Sequence, residues 1–324
     1  MSDGHASAVS PGVKARLGGW LQLARISNAP TVATNVFVGA ALAGLNISSP
    51  DVLLTVGWVC LLYFAGMILN DLCDLKIDRK ERSERPLVQG TVSPIAAAIA
   101  VLVLVLVACE GLRRVSYGDA LIPALVLVGL IILYDVWHKG NPFSSIVMGA
   151  CRAMVYVVAF SVFETLNVSR LLLPCILIIV YIAAITLLAR NESSNKPILW
   201  PVVLLFAPAL YPVLSAWGPG GLGTGIADWR LSTPAILLFV FWTVVALRPI
   251  MGAGDTHVGC AVARLLAGIT LVDALFVSTL CEWTFASGDD GVSISMGVIA
   301  LSPLIACGLM FGLTLVLQRR VQAS

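Results

Sequence analysis

Asp71, Asp74 and Asp78 recur at spacings of three and four residues. On an α-helix that spacing puts three carboxylates within an arc of about 60°. They belong to the stretch Asn70–Gly90, NDLCDLKIDRKERSERPLVQG, in which ten of 21 residues are Asp, Glu, Lys or Arg, in a chain only 12% charged overall. Like charges this close repel and raise one another's pKa, so such a face needs a counter-charge. A divalent cation supplies it. Hard carboxylate oxygens suit magnesium, which typically bridges one or two carboxylates to a substrate phosphate. Arg79, Lys80, Arg82 and Arg85 follow directly, and cations of this kind clamp phosphate oxygens. The plainer alternative is a solvated loop of mixed charge.

The elements that must position these residues are membrane spans. The 324-residue chain is 59% hydrophobic, with a mean hydropathy of +0.95, well above the roughly 45–50% apolar share of a soluble domain. Apolar runs of transmembrane length recur throughout, near 31–46, 51–70, 92–111, 118–135, 143–162, 170–189, 198–217, 234–250, 258–281 and 294–317. The fold class expected is an all-α membrane protein, a multi-spanning bundle of nine or ten transmembrane helices, with 234–250 the weakest span. Residues 1–30 read as a cytoplasmic N-terminus with an interfacial helix, 31–318 as one transmembrane domain, and 319–324 as a cytoplasmic tail. The polar start at Met1–Val13 lacks the apolar region of a signal peptide. With ten spans and the Asp71 loop inside, 16 of the 20 Lys and Arg residues face the cytoplasm and four (Arg113, Arg114, Arg170, Arg230) face outward. The positive-inside rule therefore places the charged face on the cytoplasmic side of a multi-pass protein, expected in the cell inner membrane.

Further polar residues mark the same side. Arg25 and Asn28 lie at the mouth of the first span, either as an interfacial anchor or as ligands. Asn35 lies deeper and needs a partner. Arg152, two turns inside the fifth span, and Asp273, in the ninth, are costly in hydrocarbon. They read either as functional groups or as a structural ion pair with each other. Arg85-Pro86 is expected to end the helix carrying the aspartates. The eight cysteines are scattered singly, with no zinc or disulfide pattern, and no nucleic-acid partner is expected.

The pattern NDxxDxxxDRxxRxxRPLxxG, between the second and third apolar runs, resembles the first aspartate-rich motif of the UbiA superfamily of intramembrane prenyltransferases. The resemblance implies a UbiA-like bundle in which Asn70, Asp71, Asp74 and Asp78 hold Mg2+ on a prenyl diphosphate, while Arg79, Arg82 and Arg85 steady its phosphates. Tyr134 and Lys139 resemble the family's Tyr and Lys near the diphosphate. The family's second motif, DxxxD after the sixth span, is replaced here by LLARNESSNKP. Asn191 and Asn195 keep the four-residue spacing as amides, which lend oxygen but no charge. Arg190 and Lys196 are placed to offset part of the diphosphate charge.

The implied reaction is Mg2+-dependent transfer of an isoprenoid from a prenyl diphosphate to an aromatic or other small acceptor. The altered second motif keeps an alternative open: a UbiA-like protein that binds or helps export an isoprenoid or aromatic metabolite without standard prenyl transfer. The combination of LLARNE with an Asp in the penultimate span resembles the UbiA-like member of the bacterial Ebo clusters.

Overall fold

The computed structural model of the protein describes residues 12–117, 119–137, 141, 143–164, 168–190, 200–217, 229–251, 258–280, 283–288, 291–296 and 298–320. Thirteen α-helices dominate these residues, joined by 3-10 turns and one hairpin. A short helix, α1 (Val13–Leu23), leads to Arg25, the one non-glycine among the described residues with positive φ (φ 45°, ψ 49°). A 3-10 turn (Ile26–Asn28) then enters α2 (Ala29–Leu42), whose second residue, Pro30, needs no amide partner there.

α3 (Pro50–Glu81) is 32 residues long, about 48 Å at 1.5 Å per residue. The hydrocarbon core of a bilayer is about 30 Å thick. The helix is thus longer than such a layer is thick, and its charged last third carries Asp71, Asp74 and Asp78. Arg79 and Lys80 in the last turn complement the helix dipole. The helix stops at Glu81, four residues earlier than the Arg85-Pro86 break expected from sequence. Arg82 caps it in a non-helical conformation, and the chain turns back through Gly90 (φ 71°).

α4 (Pro94–Val115), α5 (Leu121–Trp137), α6 (Ser144–Ser161) and α7 (Ser169–Arg190) follow. The run 198–217 is broken into α8 (Trp200–Leu204), a 3-10 turn (Ala207–Leu210) and α9 (Tyr211–Trp217). Pro208 in that turn cannot continue an α-helical ladder. α10 (Trp229–Met251) leads to α11 (Val258–Ala267) and α12 (Ile269–Ser278), kinked at Gly268. Near the kink, Trp242 Nε1 donates to the carbonyl of Arg264 and Tyr181 Oη to that of Leu265, each at 2.9 Å. Polar backbone exposed inside an apolar bundle must be satisfied this way. A hairpin, β1 (Trp283–Gly288) and β2 (Gly291–Met296), with Gly288 opposite Gly291, precedes α13 (Val298–Arg320). Among the described residues the bundle is otherwise helical, and the last helix starts four residues later than the expected 294.

Among the described residues, seven helices are long and apolar enough to cross a membrane. Of the ten expected spans, 118–135 and 198–217 correspond to shorter apolar segments, and 31–46 to the 14-residue α2.

Two apolar cores meet at α6. One gathers α2 to α5 around Val36, Leu62 and Leu112, and the other gathers α7 and α10 to α12 around Tyr181, Phe239 and Phe276. Glycines let α6 approach both sides. A Cβ on Gly39 of α2 would come within 2.6 Å of Ala159 Cβ, and one on Gly149 of α6 within 2.7 Å of the Ile179 carbonyl in α7. This is close packing of the small-residue kind used inside membranes. Gly149→Ala is expected to cost about 1–3 kcal/mol by overpacking, because the obstacle is backbone. Gly129→Ala, inside α5 with nothing within 4 Å, is expected to hold or slightly raise thermal stability in detergent, by up to about 1 kcal/mol.

Candidate functional site

Asp71 is buried at 4% exposure and its Oδ1 accepts two guanidinium hydrogen bonds, from Arg85 Nη1 at 2.8 Å and Arg25 Nη2 at 3.2 Å. Sequence reasoning assigned Arg85 to phosphate; the structure gives it a carboxylate partner and buries it to the same depth. Arg25 reaches Asp71 because its backbone turns through the left-handed region between α1 and the 3-10 turn. Such a conformation is sparsely populated for a side chain with a Cβ and persists only where the surroundings hold it. Here Tyr63 Oη donates to the Arg25 carbonyl at 3.2 Å. Both guanidiniums fall on one oxygen of Asp71, so Oδ2 takes part in neither ion pair.

Asp78, two turns on, is also buried, and Asp74 between them is half-buried. Arg79 and Arg82 are exposed at the end of α3. Asn70 donates from Nδ2 to Asp135 Oδ1 at 2.9 Å, joining α3 to the end of α5, where Asp135 is buried. Arg190 donates to the Asn141 carbonyl at 2.6 Å and to Ser144 Oγ, so it ties the end of α7 to the start of α6. Asn28 accepts at 3.4 Å from Gln318 Nε2, which also donates to the Ala263 carbonyl at 2.9 Å, anchoring α13 to the entrance of α2.

Beneath these charges lies a cavity of about 160 Å³. Its rim and inner wall carry Arg25, Asn70, Tyr134, Asp135 and Arg152; its apolar walls include Val32, Val59, Leu127, Ile131, Val155 and Ile185. Tyr134 is one of the residues lining this cavity. Lys139, Asn191, Asn195 and Lys196 lie outside the described residues, so the second half of the expected site is not placed.

The expected ion pair between Arg152 and Asp273 does not form. Arg152 Nη1 donates to Asn35 Oδ1 at 2.9 Å, and Asn35 Nδ2 donates to both Asp273 oxygens at 3.0 and 2.8 Å. Thr34 Oγ1 and Tyr156 Oη each donate to Asp273 at 2.5 Å. Asp273 is fully buried, and three neutral side chains solvate it while the cation stays one residue away. Sequence reasoning left Asn35 without a partner and missed Thr34 and Tyr156. The signals were adjacency to Asn35 for one and a place one turn after Arg152 for the other.

Among the described residues, no group of three His, Cys, Asp or Glu side chains is disposed to hold a metal ion alone. The donors instead fit an ion that takes one or two carboxylates and fills its remaining positions from phosphate and water. A carboxylate has about four lone-pair sites, and the two guanidiniums on Oδ1 leave Oδ2 of Asp71 outside their ion pairs.

Removing Asp71 alone would strand the buried Arg85. Asp71→Ala is expected to destabilise by about 3–5 kcal/mol, as for any buried pair broken on one side. Asp71→Ala combined with Arg85→Leu is expected to recover part of that loss in the same thermal-melting assay.

Residues 32–250 match the model of the UbiA prenyltransferase family. Two archaeal relatives are named digeranylgeranylglyceryl phosphate synthase. One, from Halobacterium salinarum, is 31% identical over 146 residues, covering 45% of this chain and 50% of the relative. The other, from Methanoculleus marisnigri, is 28% identical over 123 residues, covering 38% and 43%. The chain spans about half the length of the curated relatives it matches. In fold it is similar to the apo structure of a UbiA homolog from Aeropyrum pernix K1 (TM-score 0.60, 18% identity, 77% of this chain and 96% of that one). It is also similar to a UbiA homolog from Archaeoglobus fulgidus bound to DMAPP and Mg2+ (TM-score 0.55, 13% identity, 79% and 99%).

Proposed function

This chain belongs to the UbiA prenyltransferase family, and from that premise we propose that it moves an isoprenoid group from a prenyl diphosphate to a small acceptor at a magnesium-dependent site inside the membrane. The observation that carries the reading is the juxtaposition of the Asp71–Arg25–Arg85 cluster with the apolar cavity beneath it. A prenyl diphosphate has the matching polarity, a charged head and a hydrocarbon tail. The DMAPP and Mg2+ named for the Archaeoglobus fulgidus homolog support the same ligand class.

One or two of the carboxylates Asp71, Asp74 and Asp78, with the side-chain oxygen of Asn70, would hold magnesium, leaving its other positions to phosphate and water. The ion, when bound, supplies Lewis-acid withdrawal of charge from the leaving diphosphate. The two guanidiniums on Asp71 fix that carboxylate in orientation. Arg79 and Arg82, exposed at the end of α3, add charge that favours the departing anion, and Lys139 and Lys196 are assigned the same work. Asn191 and Asn195 are assigned to the facing side of the head group. The carbon–oxygen bond of the donor breaks with its electron pair on the diphosphate, and the acceptor supplies the pair for the new carbon bond and gives up a proton to water or to the departing diphosphate. Val59, Ile131, Val155 and Ile185 line the path of the tail and exclude water that would otherwise quench the allylic cation. The excess of Lys and Arg on this side favours the cytoplasmic face of the inner membrane.

Purified protein in lipid nanodiscs is to be given Mg2+ and a panel of radiolabelled prenyl diphosphates, with diphosphate release as the readout. Release is expected to require Mg2+ and to fall about 100-fold or more in Asp74→Ala, with the fold retained because Asp74 is not fully buried. Magnesium-dependent donor binding without release, for every donor and acceptor tried, would replace transfer by a binding or export role.

A further inference from the structure

We propose that Asp135 is a positioning residue for the metal: with Asn70 it forms a carboxylate–amide–cation relay that turns the Asn70 side-chain oxygen toward magnesium and strengthens it as a ligand. The inference rests on the reading of a magnesium–diphosphate site at the aspartate face, and deepens it.

The hydrogen bond between the two side chains has one possible sense. An ionised carboxylate accepts and cannot donate, so Asn70 presents Nδ2 to Asp135 Oδ1, at 2.9 Å. The amide group is planar, and its oxygen is thereby held on the side away from Asp135. Among the described residues this is the hydrogen bond that the Asn70 side chain makes, and both residues line the cavity. Asp74 follows Asn70 by four residues, so the two side chains are neighbours on one face of α3.

The interior of the same bundle holds a completed version of this arrangement. Asn35 Nδ2 donates to both oxygens of Asp273, at 3.0 and 2.8 Å, and Asn35 Oδ1 accepts from Arg152 Nη1 at 2.9 Å. The carboxylate fixes the amide, and the amide offers its oxygen to a cation. Asp135 and Asn70 repeat the first two members of that series at the mouth, beside the aspartates of α3.

The placement of Asp135 also calls for a cation. It is buried at 3% exposure in the last turn of α5. Burial disfavours a carboxylate charge, and the negative end of the helix dipole opposes it further. A metal ion one amide away offsets both. In return the carboxylate polarises the amide and makes its oxygen a stronger ligand, as partners behind a metal-bound imidazole do. It also brings negative charge to a site in which Asn191 and Asn195 stand where the family pattern has carboxylates.

Mn2+ serves as the probe, an oxygen-ligated ion whose free form is counted by electron paramagnetic resonance. The full chain in detergent is titrated with Mn2+, with and without dimethylallyl diphosphate. In Asp135→Asn the Mn2+ affinity is expected to fall about ten-fold or more, the range for a partner behind a metal ligand, with thermal melting to show that the variant is folded. In an Asn70→Ala background the same change is expected to shift affinity by less than about two-fold, because the relay has lost its middle member. The exchange of Asn70→Asp with Asp135→Asn reverses the hydrogen bond and keeps an oxygen for the metal, and it is expected to recover most of the lost affinity. A folded Asp135→Asn with wild-type Mn2+ affinity overturns the relay. So does an equal loss in the Asn70→Ala background, which would make Asp135 a ligand in its own right or a part of the scaffold. If Asp135→Asn does not fold, the exchange decides, and a folded exchange variant with weak Mn2+ binding overturns the relay too. A wild type that binds Mn2+ without any response to dimethylallyl diphosphate strikes the prenyl-transfer reading, and the relay then stands or falls on Mn2+ alone.

Discussion

A carboxylate taken out of water inside an apolar bundle has to find its partners within the protein, and Asp71 finds two guanidiniums on a single oxygen. Much of the local chain path follows from that requirement. Arg25 arrives from the N-terminal side through a left-handed turn that a non-glycine residue rarely adopts. Arg85 arrives from the other side, through the short return after α3. The two segments are held at the same place by the same charge. Leu23, Ile68, Leu87 and Val92 pack into a small apolar cluster beneath them, so the charged site rests on its own hydrophobic base. Arg25, Arg85 and Asp71 together carry one net positive charge, while Asp74, Asp78 and Asp135 add carboxylates around them.

The same constraint is met differently in the interior. Asp273 has no cation in direct contact. It is solvated by four hydrogen bonds from Thr34, Asn35 and Tyr156, and charge reaches it through the Asn35 amide from Arg152. Pairing two ions directly in low dielectric often yields no net stabilisation over apolar packing, because both must be desolvated. A relay of neutral donors satisfies the carboxylate and leaves the guanidinium with donors to spare. The mouth and the interior therefore use arginine in opposite ways. Arg25 and Arg85 act on a protein carboxylate, whereas Arg152 is oriented but not neutralised.

The helical character, the location of most helices and the charged face on α3 were legible because each rests on local periodicity: apolar runs for spans, spacings of three and four for the aspartates. What was not legible depends on partners distant in sequence. Arg85 looks like a phosphate ligand when read beside Arg79 and Arg82, and its burial against Asp71 follows from the return after Glu81, which spacing does not encode. Arg152 and Asp273 were correctly singled out as costly charges, but the route between them passes through Asn35, more than a hundred residues from either. The break at Pro208 and the hairpin before α13 escaped hydropathy for a simpler reason. Averaging over a span-length window hides a local interruption.

The length of α3 connects these observations to function. At about 48 Å it outruns a hydrocarbon core of about 30 Å, so one continuous rod carries both the apolar cavity wall and the aspartate face. A substrate with a charged head and an oily tail needs both environments at a fixed separation. A rigid helix sets that separation more reliably than a loop would. Because Asn70 and Asp135 join α3 to α5 at the boundary between the two zones, the mouth is braced where the polarity changes. Chemistry at that boundary requires the leaving group to face the water-accessible charges while the carbon centre stays among Val59, Ile131 and Val155. Along α3 the polar and apolar environments follow one another on one rod, with about 16 Å from Asn70 to Val59.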